Sequence, residues 1–129
     1  MRRKNKKAIL TDQELEIMKI VWQHGAATVR DVYEELLKSR KIAYTTVMTM
    51  MGILEQKGRL AKTSRDRAYV YSPTETQGEV VGNMVHEFVK RVFDGSAKPL
   101  LMHLVENKEI NRAELDEIRQ LMKKQRRKS

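Results

Sequence analysis

Residues 44–58 read Y-T-T-V-M-T-M-M-G-I-L-E-Q-K-G, and this stretch limits the choice of fold more than any other. Val47, Met50, Met51 and Leu54 fall at i, i+3, i+4 and i+7, which makes one face of a helix apolar. The other face carries Tyr44, Thr45, Thr46, Met48 and Thr49, where an ordinary exposed face would hold Glu and Lys. Such a helix, dry inside and covered outside by short hydroxyl residues, can lie close against another surface. Lys38, Arg40 and Lys41 precede it, and Lys57, Arg59, Lys62, Arg65 and Arg67 follow. This suits a helix in the DNA major groove, with threonines meeting base edges and methyl groups while flanking cations hold phosphates. The segment alone is equally consistent with a surface helix that happens to be rich in threonine.

The charge distribution separates these readings. The 129-residue chain has a formal charge of +9. Residues 1–7 and 123–129 each carry five Lys/Arg and no acid, so the body between them is almost neutral. Within it, residues 38–67 hold eight basic and two acidic residues, while 8–37 hold two and six and 68–122 hold six and nine. One positive block between two acidic ones argues for a directed contact with a polyanion. The basic termini are most simply solvated, flexible tails, with DNA contact as the second reading.

Local signals divide the rest. Thr11 and Glu14 have capping-box spacing, and the helix behind them turns Leu15, Met18, Val21 and Trp22 inward until Gly25 ends it. Thr28 and Asp31 repeat the pattern before Val29, Val32, Tyr33, Leu36 and Leu37. Gly58 closes the threonine-faced helix. Arg59–Ser64 and Ala68–Ser72 then read as strands joined by an Arg65-Asp66-Arg67 tip, with Pro73 as the stop. Three short helices followed by a basic-tipped hairpin is the order of a winged helix-turn-helix.

Beyond residue 74 three helical segments follow, at 75–93, around Leu100–Val105, and after Asn111, with Pro99 suited to a first turn. They carry an apolar stripe of Val81, Met84, Val85, Phe88, Val92, Leu101, Leu104, Ile118, Leu121 and Met122. No sheet or large core is available to cover it, so a homodimer is the economical arrangement; folding back on the first unit is the alternative. The expected architecture is mostly α with a small β-hairpin wing: a basic flexible tail at 1–8, a winged-helix DNA-binding domain at 9–73, a helical dimerisation domain at 74–122 and a basic flexible tail at 123–129.

Six motifs in order carry a family likeness: L-T-x-x-E-L-E-I-M-x-I-V-W at 10–22, T-V-R-D-V at 28–32, Y-T-T-V-M-T at 44–49, L-E-Q-K-G at 54–58, R-A-Y-V-Y-S-P at 67–73 and F-D-G-S at 93–96. The chain resembles the BlaI/MecI family of penicillinase and methicillin-resistance repressors. The resemblance implies a dimeric winged-helix repressor that binds inverted repeats containing TACA/TGTA. Staphylococcal-type members carry basic residues at the positions of Thr45, Met48 and Ile53, which are uncharged here. The resemblance also implies a membrane sensor-protease as partner and a cut in the short helix of the dimerisation domain. The corresponding bond here is His103–Leu104, with release by another effector or partner as the alternative.

Enzymatic and metal sites are not expected. His24, His86 and His103 lie in different helices at no ligand spacing, and there is no cysteine. The eight methionines read as core and interface filler, and Glu34-Glu35 and Asp116-Glu117 as solvated helix faces. No apolar run approaches the ~20 residues of a membrane span, and no signal peptide is visible, so the expectation is a cytoplasmic protein, at the nucleoid when bound, without cofactor or membrane insertion. The leading function is sequence-specific repression of transcription on double-stranded operator DNA. The alternative is a winged-helix module that binds protein, or nucleic acid without sequence preference, through the same basic face.

Overall fold

The computed structural model describes residues 9–128. Helices α1 (Asp12–His24), α2 (Val29–Leu37) and α3 (Tyr44–Gln56) come first. The antiparallel hairpin of β1 (Leu60–Arg65) and β2 (Ala68–Pro73) follows, then α4 (Gln77–Val92), α5 (Lys98–Glu106) and α6 (Arg112–Lys128). The chain forms two compact units, dividing between Val81 and Gly82, within α4.

Short-range chemistry starts four of the helices, α1, α2, α4 and α6. The Thr11 hydroxyl accepts from the Glu14 amide at 3.1 Å, and the Glu14 carboxylate accepts from the Thr11 amide at 3.0 Å. Thr28 and Asp31 repeat this box at α2, Thr76 and Glu79 at α4, and Asn111 and Glu114 at α6. Gly25 ends α1 at φ 82°, in the left-handed region where a side chain would be strained.

In the first unit Ile17, Val21, Val32, Val47, Met51 and Leu54 are fully buried, joined by Met18, Leu36, Leu60 and Tyr71. The inward side of α1 differs from expectation. Ile17 and Ile20 are buried, whereas Leu15 and Trp22 are only partly covered. Trp22 instead donates its indole N–H to the Glu75 carbonyl at 2.9 Å, fastening the segment after β2 to α1. Ala27 pairs with Tyr71 through two backbone hydrogen bonds of 2.9 and 2.8 Å, a minimal third strand at the base of the hairpin. The hairpin tip is tighter than its sequence suggested. Arg65 pairs with Ala68 as the end of β1, leaving a two-residue turn, Asp66-Arg67, with φ 49° and 70°. Positive φ at both central residues is the turn geometry whose twist matches paired strands.

In the second unit no described residue from Gly82 onward is buried. Phe88 and Phe93 meet edge to face at 5.8 Å, and Phe93 lies 6.2 Å from the His103 ring. The basic run from Lys123 to Lys128 continues α6 past the end expected from the sequence. Cations in the last turns suit the negative end of the helix dipole. The expected tail at 1–8 lies outside the described residues. Among the described residues no helix is long and apolar enough to cross a membrane.

One buried acid links the elements. Glu14, 6% exposed, receives the Lys57 ammonium at 2.9 and 3.0 Å. Burial pushes its carboxyl pKa up, but the Thr11 amide and Lys57 outweigh burial and leave it below the usual carboxylate value. A depressed folded-state pKa contributes stability above the ordinary carboxylate range, lost as pH falls through the folded value. Glu14→Gln is expected to destabilise the fold by about 1–3 kcal/mol at neutral pH by leaving Lys57 unpaired. The deficit should shrink as pH is lowered below the ordinary carboxylate range, because the wild-type carboxylate then protonates. Urea unfolding of both proteins across this range checks it, and a deficit independent of pH would contradict the charge-based account.

Candidate DNA-binding surface

The candidate surface is built on α3. Val47, Met51 and Leu54 lock the inner side into the core. That fixes the outer side, because successive residues on a helix turn by a set angle. Tyr44, Thr45, Thr46, Met48 and Thr49 are all exposed, so the structure brings together the five positions the sequence singled out on this helix. The outward side also runs further than the threonines, through Gly52, Ile53 and Gln56. Projecting the helix past Thr49 finds these residues; the hydroxyl pattern alone does not. At the start of α3 the N-cap residue Ala43 supplies no side-chain hydrogen bond, so the first amides of the helix lack a side-chain cap.

Helix α2 contributes an aromatic edge that periodicity did not reveal. Tyr33 meets Tyr44 edge to face at 5.3 Å, and the Arg30 guanidinium lies 5.9 Å from the Tyr44 ring centre. Arg40 in the connection between α2 and α3 pairs with Glu16 of α1 at 2.9 Å.

The basic residues after α3 divide into two groups. Lys57 is committed to Glu14, and Arg59, with its side chain 11% exposed, pairs with Glu75 at 3.0 Å. Both therefore have structural duties at the base of the wing. Lys62 is intermediate: its ammonium lies 3.6 Å from Glu55 of α3 and 4.5 Å from the centre of the Tyr69 ring. It joins α3 to the hairpin. Arg65 and Arg67 stand exposed at the hairpin tip, and among the described residues no carboxylate pairs with either. Arg67 also occupies the left-handed region, a conformation costing roughly 1–2 kcal/mol for a residue with a side chain.

The profile of the penicillinase repressor family matches residues 10–124. The chain belongs to this family. Its members are transcriptional repressors, not enzymes, and sequence-specific DNA-binding repression is the function of this chain. The penicillinase repressor of Bacillus licheniformis is 28% identical over 113 residues, 88% of each chain. The transcriptional regulator BlaI of Mycobacterium tuberculosis is 37% identical over 99 residues, 75% of this chain and 72% of that one. The solution structure of monomeric B. licheniformis BlaI with the blaP half-operator matches with a TM-score of 0.50 at 32% identity, covering 57% of this chain and 90% of that one.

Within the family fold, the division among the cations has a measurable consequence. Arg59→Ala is expected to lower stability by about 1–3 kcal/mol, through loss of the pair with Glu75, while leaving the salt dependence of DNA binding nearly unchanged. Thermal unfolding and binding titrations at several salt concentrations check both halves. A salt slope reduced by a full unit would place Arg59 on a phosphate instead.

Proposed function

We propose that the chain represses as a homodimer, each winged-helix unit occupying one half of a palindromic operator of the TACA/TGTA type. In this reading residues 9–73 are the DNA-binding domain and residues 74–122 form the helical dimerisation domain. The protein acts in the cytoplasm on double-stranded DNA that overlaps a promoter. One observation carries the DNA half: the exposed side of α3 is free of cations, inside the one stretch between the basic termini with a strong positive excess. Thr46 and Thr49 then read base edges, with Tyr44, Thr45 and Met48 beside them, and Lys62, Arg65 and Arg67 meet phosphate or minor groove. Lys57 and Arg59 support this surface from behind.

The dimer reading rests on exposure. Val85 and Val92 are about half exposed, Leu121 and Met122 more so, and Val81, Phe88 and Leu101 more than a third. Met84, Leu104 and Ile118 are partly covered. An apolar stripe this large marks an interaction surface, and a second copy supplies a matching stripe.

Thr46→Ala or Thr49→Ala should cost ~1–3 kcal/mol at the operator and relax its specificity. An equal loss on random DNA would count against base reading. Ala at Arg65 or Arg67 should weaken binding to all sequences alike and reduce the salt slope by ~1. For the dimer, Leu121→Lys buries an unpaired charge and should yield monomers in sedimentation. A wild-type protein that sediments as a monomer at micromolar concentration would remove the dimer reading.

Induction by a membrane sensor-protease fits the same arrangement. Helix α5 has no buried residue, so local opening around His103–Leu104 costs little. A cut there detaches α6 and its share of the stripe, turning one bivalent contact into two weak ones, a loss of ~10²–10⁴ in affinity. Mass spectrometry of the repressor from induced cells tests it: fragments ending at His103 support cleavage, and intact protein during derepression refutes it.

A further inference from the structure

Every base pair shows the major groove a different set of groups, so the chemistry of a reading face limits what it can recognise. Guanine offers two acceptors, most often met by Arg or Lys. Between Tyr44 and Gln56 there is neither, nor any Asn or His, and the one charged residue, Glu55, is 3.6 Å from Lys62. The face instead presents two large apolar side chains, Met48 at 46% and Ile53 at 39% exposure. They flank the central strip of Thr45, Thr49 and Gly52, one on each side, as the helical turn dictates. The apolar group that base pairs offer in the major groove is the C5-methyl of thymine.

Gly52 adds a second observation. It lies inside α3, where glycine is less stable than alanine. A Cβ built there would meet nothing within 4 Å, and Gly52 is not among the glycines with positive φ. Neither packing nor backbone conformation within the chain requires a glycine. Its missing side chain gives room on the outward side, where a base edge would approach.

We propose that this repressor reads its half-site largely through thymine C5-methyl groups, with Met48 and Ile53 as specificity-determining residues and Gly52 as the point of closest approach. The proposal rests on the operator reading above and narrows it to a recognition chemistry. It predicts half-sites in which thymine content, more than guanine content, sets affinity.

The test uses the full-length protein and three duplexes: one carrying a TACA/TGTA inverted repeat, one with the same bases scrambled, and one in which deoxyuridine replaces every thymine of the repeat. Deoxyuridine keeps each hydrogen-bonding group and removes only the methyl. The wild type should bind the uracil duplex roughly three- to five-fold more weakly for each contacted thymine, by the usual value of a buried methyl group. Met48→Ala and Ile53→Ala should each reduce that discrimination. Gly52→Ala should raise the unfolding temperature yet weaken operator binding, opposite signs that a structural role alone does not produce. Equal affinity for the thymine and uracil duplexes, with the scrambled duplex still rejected, would overturn methyl reading and leave the operator reading intact. Equal affinity for the repeat and its scrambled form would overturn both. Discrimination unchanged in both the Met48 and Ile53 variants would overturn their assignment.

Discussion

The Glu14 carboxylate does three things at once, and the placement of α3 depends on it. It closes the capping box that begins α1, it occupies a buried position, and it holds the ammonium of Lys57 at the end of α3. A buried carboxylate with no partner would cost several kcal/mol, so the arrangement is stable only when the end of α3 lies against the start of α1. Lys57 gains twice, from the carboxylate and from the negative end of the α3 dipole. The apolar contacts of Val47, Met51 and Leu54 hold the helix to the core but tolerate small sliding and rotation. A bidentate contact at 2.9 and 3.0 Å is far less tolerant of such movement. The outward rotation of the threonines is set from the inside of the molecule.

The wing is fixed by similar means at its base and left simple at its tip. The Ala27–Tyr71 bridge, the Trp22 indole on the Glu75 carbonyl, the Arg59–Glu75 pair and the Thr74 hydroxyl on the Gly58 carbonyl at 2.7 Å all lie where the hairpin leaves the helices. Towards the tip, by contrast, everything from Ala61 to Tyr69 is exposed. Lys62, between Glu55 and Tyr69, ties the outer part of the hairpin to α3 through electrostatics. A lever anchored at one end and charged at the other suits a contact that must follow a phosphate backbone, not a fixed base edge.

What the sequence made legible follows the range of the interactions. Capping boxes span three residues, and those at Thr11 and Thr28 and the Asn111 cap were all visible in the one-dimensional pattern. So were the inner face of α3, at helical spacing, and the hairpin, at strand spacing. The partners of Lys57 and Arg59 lie 43 and 16 residues away, and a basic residue beside a recognition helix looks the same whether it will meet a phosphate or a carboxylate. The two-residue turn was concealed because neither Asp66 nor Arg67 is glycine, the usual sign of positive φ. The continuation of α6 was missed for a related reason: a run of Lys and Arg reads as a solvated tail, although both are good helix formers and favourable at a helix C-terminus.

The two units differ in what makes them stable. The first has a closed core, with eight large side chains almost completely removed from water. The second buries none of its described residues from Gly82 onward, although α6 is capped and its phenylalanines pair edge to face. Caps and one aromatic contact are worth a few kcal/mol at most, less than the entropy of ordering three helices. In the dimeric reading the missing apolar burial comes from the second copy, so folding of this unit and association become one equilibrium that depends on protein concentration. The operator then enters the same linkage, because DNA bound by both winged helices holds the two copies at a high effective concentration. In that reading, anything that shortens or loosens the second unit weakens DNA binding without touching α3 or the wing. Control of repression can therefore be exerted at the marginally stable end of the chain while the reading surface stays rigid.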